Sequence, residues 1–315
     1  MRLDLSFTPN FTPKTIGEFI KQKDELTSFK PVNLEYFHIL KKSGFDSHEE
    51  CLKPENKEKN RYDDILCLDV TRVKITPKKG KNDYIHANYV DCYDIPKKYV
   101  VTQGPLKETV DQFWQLVWEQ NSRIIVALTD LQVAGKEMCA PYWYPYNEQQ
   151  IFQADELSIK AASETRYSGY LQTTFEVYNS DTKERRVIRH FMYSDWPNDG
   201  VPSNVESFMG FMGDVYEAQQ SFIIKKVVES APIIVHCTAG AGRSGTYCAI
   251  DSCIRELMKN ETVSIPEAVL KVRHQRYASV LNERQYAFIY DVIYKVVKFY
   301  EEHNFHAYKN RSRAS

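Results

Sequence analysis

The sequence lacks the features that would place it in a membrane or in an oxidising compartment. No run approaches the roughly 18 consecutive apolar residues of a spanning helix, and the opening MRLDLSFTPNFTPK has no apolar core of the length of a secretory signal. Its 7 cysteines include no C-x-x-C pair, which argues against a disulfide framework and against a structural zinc site. We therefore expect a soluble, cytoplasmic chain with no metal.

The chain also lacks an excess of charge of either sign. Its 41 basic and 42 acidic side chains leave a formal net charge of −1, so neither nucleic acid nor an acidic membrane surface is expected as a partner. Internal repeats and low-complexity linkers are missing as well. With 315 residues, 43% of them apolar, the chain is long enough to bury one large core.

Glycine is scarce, at 12 residues, but three glycines lie in the segment 233–245, which reads IIVHCTAGAGRSG. Residues 233–235 form a β-branched apolar run typical of a buried strand, and residues 246–257 have helical apolar spacing. A glycine-rich turn between a strand and a helix can direct successive N–H groups to one point beside the helix N-terminus, where the dipole favours negative charge. The segment therefore predicts a phosphate site.

Cys237 is expected at the floor of this turn, where the N–H dipoles and a nearby guanidinium favour a nucleophilic thiolate. Arg243 supplies a planar fork for two phosphate oxygens. Ser244 can donate a hydrogen bond to the sulfur as it leaves, and His236 is expected to order the loop rather than act as a base. The residues expected to bind the phosphate are Thr238, Ala239, Gly240, Ala241, Gly242 and Arg243.

A cysteine six residues before an arginine is weak evidence by itself, because a free cysteine is usually an inert core residue. The upstream strand, the three glycines and the downstream helical pattern make the combination specific. Elsewhere the sequence predicts an α/β domain, with strands over 123–129 and, as short segments around polar turns, within 157–193. Helices are expected over 15–43, 109–120, 205–220, 245–259, 266–277 and 284–302.

The loop resembles that of the protein tyrosine phosphatase family, specifically the tyrosine-selective catalytic domain of the non-receptor type, which reads His-Cys-x-x-Gly-x-x-Arg-Ser/Thr-Gly. The resemblance extends from about residue 59 to about residue 294, and the compact form also resembles the stand-alone phosphatases of bracoviruses. Further matching segments in the family's order are Lys59-Asn60-Arg61-Tyr62, Asp83-Tyr84-Ile85-His86-Ala87-Asn88, Thr102-Gln103-Gly104-Pro105, Phe113-Trp114 and Tyr142-Trp143.

The resemblance implies an α/β (α+β) fold with a central, highly twisted mixed β-sheet flanked by helices, and with the cysteine loop between a strand and a helix. It implies a monomer that hydrolyses phosphotyrosine in proteins through a phosphocysteine intermediate, without a cofactor. The expected organisation is an N-terminal helical cap over 1–45, a catalytic domain over 46–303 and a short basic tail over 304–315.

The resemblance also assigns residues to the substrate. Tyr62 stands where the family stacks an aromatic ring on the substrate's phenyl ring, which makes the pocket deep enough to select phosphotyrosine. Asp64 stands where a carboxylate anchors the peptide backbone, and Gln285 and Asn198 complete the expected substrate-binding set. The alternative for Tyr62 is a half-buried packing tyrosine.

Three positions depart from the family's pattern. The family's acid loop reads Trp-Pro-Asp-x-Gly-Val-Pro, whereas residues 196–202 read WPNDGVP, which puts Asn198 at the acid position and Asp199 one residue later. Val133 replaces a Glu that pairs with the phosphate-binding Arg, which leaves Glu137 as a candidate partner. Leu281 replaces a Gln that positions water, and Asn282 is adjacent.

These departures leave three interpretations open. An amide cannot donate a proton to a leaving phenolate, and general acid catalysis is worth about 10²–10⁴-fold. The chain is then a phosphatase slowed at this step, with Asp199 or Asp195 as substitute acid, or a catalytically weakened pseudophosphatase that traps phosphotyrosine proteins. The third interpretation is a scaffold with a dead pocket or a phosphatase for other phosphates.

Overall fold

The computed structural model describes residues 10–25, 30–44, 46–78, 80–197, 200–227 and 230–302. The helices in these ranges are α1 (Ile16–Glu25), α2 (Lys30–Lys42), α3 (Glu49–Leu52), α4 (Val110–Glu119), α5 (Val205–Ile224), α6 (Gly242–Asn260), α7 (Ile265–Gln275) and α8 (Glu283–Glu302). The strands are β1 (Lys14–Thr15), β2 (Arg72–Lys74), β3 (Tyr84–Cys92), β4 (Ile95–Gln103), β5 (Ile124–Ala127), β6 (Gln132–Val133), β7 (Lys136–Glu137), β8 (Ile151–Ala154), β9 (Leu157–Arg166), β10 (Tyr170–Asn179), β11 (Arg185–Tyr193), β12 (Ile233–Cys237) and β13 (Thr262–Val263).

Nine strands form one mixed sheet in the order β2-β3-β4-β12-β5-β11-β10-β9-β8. The central strand β12 pairs in parallel with β4 and β5, and β5 pairs in parallel with β11. The strands on both flanks pair antiparallel. This mixed sheet, flanked by helices, confirms the expected fold class.

Strand β12 is buried on both faces, as its β-branched run predicts. Its side chains alternate between the faces of the sheet, as in any strand. Ile233, Val235 and Cys237 pack in a core formed with α5, α6, α7 and α8, whereas Ile234 packs in a second core formed with α4. The strand is therefore fixed by two cores, and the residue at its carboxyl end, Cys237, has a fixed position.

The predicted helices are present with shifted ends. The predicted helix over 15–43 corresponds to α1 and α2, and residues 26–29 lie outside the described ranges. The prediction of short strands within 157–193 was wrong: β9, β10 and β11 each have nine or ten residues, because they form one antiparallel meander with an almost continuous register. No prediction covered residues 84–103, where β3 and β4 form a hairpin beside β12.

The two N-terminal helices pack against α8. Lys23 Nζ lies 2.8 Å from Asp291 Oδ1, and the Tyr286 hydroxyl donates to Glu35 Oε1 at 2.6 Å. The division into cap, catalytic domain and tail stays a prediction, and the tail over 304–315 lies outside the described residues. In the part of the chain that is described, no helix combines the length and the apolarity needed to cross a bilayer.

Candidate active site

The phosphate loop, residues 238–241, joins the carboxyl end of β12 to the first turn of α6. Gly240 has a φ of +63°, and a Cβ there would collide with the backbone oxygen of Thr102. Only glycine avoids both the strain and the collision. This conformation lets the Gly240 N–H donate to Cys237 Sγ at 3.2 Å, so the loop directs a backbone dipole at the sulfur as the sequence predicts.

Cys237 differs electrostatically from the other cysteines. Burial raises the pKa of its thiol, but the Arg243 guanidinium, the Ser244 hydroxyl and the N–H groups of Ser244 and Ala241 outweigh burial, so the pKa lies below its ordinary value. The cysteines whose pKa is instead raised, in each case chiefly by burial, are Cys51, Cys67, Cys92, Cys139, Cys248 and Cys253. Cys237 is therefore the cysteine of this chain that favours the thiolate.

Arg243 lies in the first turn of α6 and is 6% exposed. Its Nη2 donates to Thr238 Oγ1 at 2.9 Å, and its Nη1 donates to the Trp196 carbonyl at 3.4 Å. The arginine therefore connects the phosphate loop with the start of the acid loop. Ser244 Oγ is buried and has no hydrogen-bond partner within bonding distance among the described residues. Its hydroxyl nevertheless lies close enough to Cys237 to lower the pKa of the thiol, so it is available to donate to the sulfur.

A buried arginine that the sequence does not single out holds the loop from behind. Arg276 follows α7 and has no exposed surface. Its Nε donates to the Gly240 carbonyl at 2.8 Å, its Nη2 to the Ala239 carbonyl at 3.1 Å and its Nη1 to Asn88 Oδ1 at 2.7 Å. With these two carbonyls held from behind, the loop is fixed in the conformation in which the Gly240 N–H donates to Cys237 Sγ. The sequence shows only basic residues at a helix end, which is an ordinary pattern.

Two buried histidines and a tyrosine support the other side of the strand. The Tyr142 hydroxyl lies 2.8 Å from His236 Nε2 and 2.7 Å from His190 Nε2, and His236 Nδ1 lies 3.3 Å from the Cys237 carbonyl. Burial lowers the pKa of His236 to about 4 and that of His190 to about 3, so both rings are neutral at pH 7. This geometry supports a loop-ordering role for His236. From the sequence, Tyr142 was recognised only as part of a family motif without a role, and His190 was not recognised.

The segment that carries Tyr62 is attached to the Gln103-Gly104-Pro105 turn. The Arg61 N–H donates to Gln103 Oε1 at 2.9 Å, and Arg61 Nη2 donates to the Pro105 carbonyl at 2.9 Å. The same turn holds the phosphate loop, because the Gly104 N–H donates to the Thr238 carbonyl at 3.0 Å. Tyr62 is 37% exposed and Asp64 is exposed, so both are accessible to a substrate.

The acid loop is described only in part. Asn198 and Asp199 lie outside the described residues. The preceding Trp196 is 3% exposed, and its Nε1 donates to the Gly200 carbonyl at 3.0 Å. Asp195 is exposed and accepts a hydrogen bond from Ser203 Oγ at 3.2 Å.

The substitute residues have other contacts. Glu137 Oε1 lies 3.9 Å from Arg61 Nη2. Among the contacts of the described residues, Glu137 therefore forms its ion pair with Arg61 rather than with Arg243. Asn282 Oδ1 accepts from the Gln285 N–H at 2.9 Å at the start of α8, and Leu281 is 54% exposed.

Gln285 is 2% exposed, and its Oε1 accepts from the Leu281 N–H at 2.9 Å. Its amide packs against Gly242, where a Cβ would come within 2.8 Å of Gln285 Oε1. Gln285 therefore lies behind the first turn of α6, and its assignment to the substrate stays a prediction. Within the described ranges, no group of three or more His, Cys, Asp or Glu side chains is arranged to hold a metal.

Comparison with known proteins gives one consistent match. The family described as protein-tyrosine phosphatase matches residues 56–295. The chain is 36% identical over 268 residues to rat tyrosine-protein phosphatase non-receptor type 9, covering 82% of this chain but only 45% of that protein. It is 34% identical over 294 residues to tyrosine phosphatase H2 of Microplitis demolitor bracovirus (isolate Webb), covering 91% of this chain and 90% of that protein.

A further protein of the same virus, tyrosine phosphatase-like protein J1, is 34% identical over 267 residues, which cover 84% of this chain and 89% of that protein. The family match spans the phosphate loop, Arg276 and the segment of Tyr62 alike. From the fold, the loop geometry and these matches together, the chain belongs to the protein-tyrosine phosphatase family.

Proposed function

We propose that the chain hydrolyses phosphotyrosine in proteins through a phosphocysteine intermediate. The observation that carries the proposal is the setting of Cys237, whose thiol pKa is lowered beside Arg243 while the Gly240 N–H donates to its sulfur at 3.2 Å. A thiolate held among anion-binding groups is both the nucleophile and part of the phosphate site. The names of the similar proteins, all tyrosine phosphatases or phosphatase-like, support the substrate class.

The reaction has two displacements at phosphorus. The N–H groups of the loop and the Arg243 fork hold the phosphate oxygens, and the Cys237 thiolate attacks phosphorus. The bond between phosphorus and the phenolic oxygen breaks, and that oxygen takes up a proton. Water then attacks the thiophosphate, the P–S bond breaks with the Ser244 hydroxyl donating to the sulfur, and inorganic phosphate leaves the restored thiolate.

The substrate's peptide and ring contact the surface beside this pocket. Tyr62 stacks on the phenyl ring and Asp64 accepts hydrogen bonds from the peptide backbone. Both are exposed at the segment that Arg61 attaches to the loop's supporting turn. A shorter phosphoserine would not reach Cys237 from this rim.

A second function is favoured by one specific observation, the amide at Asn198 in the acid position. Without a proton donor the first displacement of a phenolate is slow, whereas the phosphate loop and Tyr62 bind as before. Val133 and Leu281 at two further supporting positions act in the same direction. The chain then binds phosphotyrosine proteins and shields them, as a substrate-trapping pseudophosphatase.

The test measures phosphate release from p-nitrophenyl phosphate, whose good leaving group needs little acid help, and from a phosphotyrosine peptide. Cys237→Ser is expected to abolish release from both while it still binds the peptide, and Cys51→Ser is the matched control with unchanged rates. Arg243→Lys is expected to fail, since a point charge does not replace the bidentate fork.

Unchanged turnover in Cys237→Ser would refute the phosphocysteine mechanism. A wild type that binds the peptide but releases phosphate from neither substrate would establish the pseudophosphatase. Brisk release from p-nitrophenyl phosphate with slow release from the peptide is the result expected for a phosphatase that lacks its acid.

A further inference from the structure

The α7–α8 loop, residues 276–282, contains a strained residue close to the phosphate loop. Val280 has a φ of +56°, a left-handed conformation that is uncommon outside glycine and unfavourable for a β-branched side chain. The side chain is fully buried. A conformation of this kind persists only where the surrounding structure holds it, and it occurs most often at functional sites. Val280 therefore indicates a constraint that the fold imposes at this position.

The N-terminal helix α2 holds the carbonyl of this residue. The Tyr36 hydroxyl donates to the Val280 carbonyl at 2.7 Å, whereas Arg273 Nη1 lies 3.3 Å from the same oxygen. The first distance is typical of a strong hydrogen bond, and the second is at the edge of the range. Tyr36 is buried, and burial raises the pKa of its hydroxyl to about 12, so it remains a donor at neutral pH. Helix α2 lies outside the residues that match the family, yet it supplies this donor.

The conformation of Val280 determines where the next residue lies. Leu281 follows it directly, and the Leu281 N–H donates to Gln285 Oε1 at 2.9 Å. A Cβ at Gly242, the first residue of α6, would come within 3.0 Å of Leu281 Cβ. Leu281 therefore packs on the residue at which the phosphate loop ends, while its side chain stays largely exposed.

Two exposed apolar side chains thus border the phosphate loop at different ends. The segment of Tyr62 is attached at the beginning of the loop, because its supporting turn donates the Gly104 N–H to the Thr238 carbonyl. Leu281 lies at the other end of the loop. A leucine has no hydrogen bond to offer a phosphate, but it can bury part of an aromatic ring that carries the phosphate.

We propose that Leu281 is an apolar wall of the phosphotyrosine site and that Tyr36 is the positioning residue that keeps it there through Val280. The inference rests on the proposed function, because the ring that Leu281 contacts is that of phosphotyrosine. Loss of the Tyr36 hydroxyl allows Val280 to relax to a negative φ, which moves Leu281 away from Gly242. Other groups hold the phosphate oxygens, so the affinity for an aromatic phosphate falls while the affinity for phosphate itself stays.

The experiment measures how two ligands that the enzyme does not consume, phenylphosphonate and inorganic phosphate, protect Cys237 from alkylation by iodoacetate. The protection gives both dissociation constants without turnover, and their ratio is the preference for the ring. Wild type is expected to prefer phenylphosphonate by about 5-fold or more, since the ring buries apolar area. Leu281→Ala is expected to reduce this preference by about 3-fold or more. The control Ile151→Ala, on the edge strand β8 and similarly exposed (52%), is expected to keep it.

Tyr36→Phe removes a single hydroxyl and is expected to reduce the preference by about 3-fold or more, with an unchanged affinity for inorganic phosphate. Tyr290→Phe is the matched control, because the Tyr290 hydroxyl is also buried but donates to Glu35 of α2 rather than to the α7–α8 loop. Val280→Gly gives a second readout, since glycine adopts a positive φ without strain. In the Val280→Gly background, Tyr36→Phe is expected to change the preference by less than about 2-fold.

A Leu281→Ala variant with the preference of wild type would overturn the apolar wall. A loss in Tyr290→Phe as large as that in Tyr36→Phe would overturn the positioning role, and an equal effect of Tyr36→Phe in both backgrounds would overturn the route through Val280. Wild type that neither ligand protects would refute the phosphate site of the proposed function, and this inference with it. Protection by phosphate without any preference for the ring would refute this inference alone.

Discussion

At the scale of single residues, the chemistry depends on which atoms surround one sulfur and one leaving oxygen. The sulfur is well provided: Cys237 has a lowered thiol pKa, whereas burial raises the pKa of each of the other six cysteines. For the leaving oxygen, the sequence pattern of residues 196–202 predicts Asn198 at the acid position and Asp199 one residue later. The two steps therefore differ: the nucleophile is activated, whereas the sequence predicts an amide in place of the acid that protonates the leaving oxygen.

Separate substitutions of Asn198 and Asp199 test which of the two positions donates the proton to the leaving oxygen. Asn198→Asp is expected to raise the turnover of a phosphotyrosine peptide by about 10-fold or more, at or below the general-acid range of about 10²–10⁴-fold, because Val133 and Leu281 remain. The rate of p-nitrophenyl phosphate hydrolysis, measured beside it as the control, is expected to change little. Steady-state rates at several pH values are the measurement, since a working acid produces a falling alkaline limb.

The opposite result would identify Asp199 as the proton donor. If Asp199 is the proton donor, Asn198→Asp changes little and Asp199→Ala removes most of the peptide activity. A wild type with brisk turnover, an alkaline limb and indifference to both substitutions would exclude both residues and would point to Asp195 or to a further acid.

At the scale of elements, the phosphate loop is held by parts of the chain that are distant in sequence. The Gly104 N–H holds the Thr238 carbonyl, and Arg276 after α7 holds the carbonyls of Ala239 and Gly240. Held in this way, the loop keeps the conformation in which the Gly240 N–H donates to Cys237 Sγ. We therefore expect the conformation of the proposed phosphate-binding loop to depend on the Arg276 guanidinium behind it.

Replacement of that guanidinium is expected to raise the pKa of Cys237. Arg276→Met removes the donors to both loop carbonyls, so the N–H groups lose their fixed direction and kcat/KM is expected to fall by about 10-fold or more. The alkylation rate of Cys237 by iodoacetate as a function of pH reports the thiol pKa directly.

Arg273→Met is the matched control for Arg276→Met. Arg273 lies in the last turn of α7, three residues before Arg276, and is also buried, but it donates to Ser43 Oγ at 2.8 Å and to the Ser279 carbonyl at 2.6 Å, away from the loop. The Arg273→Met variant is expected to have a lower free energy of unfolding than wild type, with an unchanged pH dependence of Cys237 alkylation. A profile that moves equally in both variants would mean that the loop responds to general loosening rather than to Arg276.

At the scale of the whole molecule, three buried histidines couple stability to pH. Burial lowers the pKa of His86 and of His190 to about 3, and that of His236 to about 4. In the unfolded chain these rings titrate near 6.5. Below that pH the unfolded state therefore binds more protons than the folded state, and the free energy of unfolding falls as the pH falls toward 4.

The free energy of unfolding is accordingly expected to fall between pH 6.5 and pH 5, by about 1–2 kcal/mol for each of the three histidines. Urea unfolding at half-unit pH steps measures it, and the window lies above the ordinary pKa of most carboxyl groups. Cys237→Ser is the control, because the same slope in this variant excludes the thiolate as its source. A flat profile across the window would contradict neutral buried rings.

The sequence alone was enough for the features that lie close together along the chain. The strand, the glycine turn, Cys237 and Arg243 occupy thirteen consecutive residues, 233–245. Their backbone conformations follow from local chemistry: β-branched residues favour a strand, glycine permits a positive φ, and the helix that follows supplies a positive N-terminus. The fold class and the family followed from motifs in fixed order. The lengths of β9, β10 and β11 did not, because cross-strand pairing sets them.

Only the tertiary structure decided which distant residues support that loop. Arg61, Tyr142, His190 and Arg276 come from four separate segments. They come to lie around β12 and the loop, in direct contact or through one intervening residue or turn, only when the sheet and its helices assemble. The hydrogen bond from Tyr36 in α2 to the α7–α8 loop likewise forms only after packing. A local pattern carries the conformation of its own backbone, but burial and the partners of a buried charge are properties of surfaces that exist only after packing.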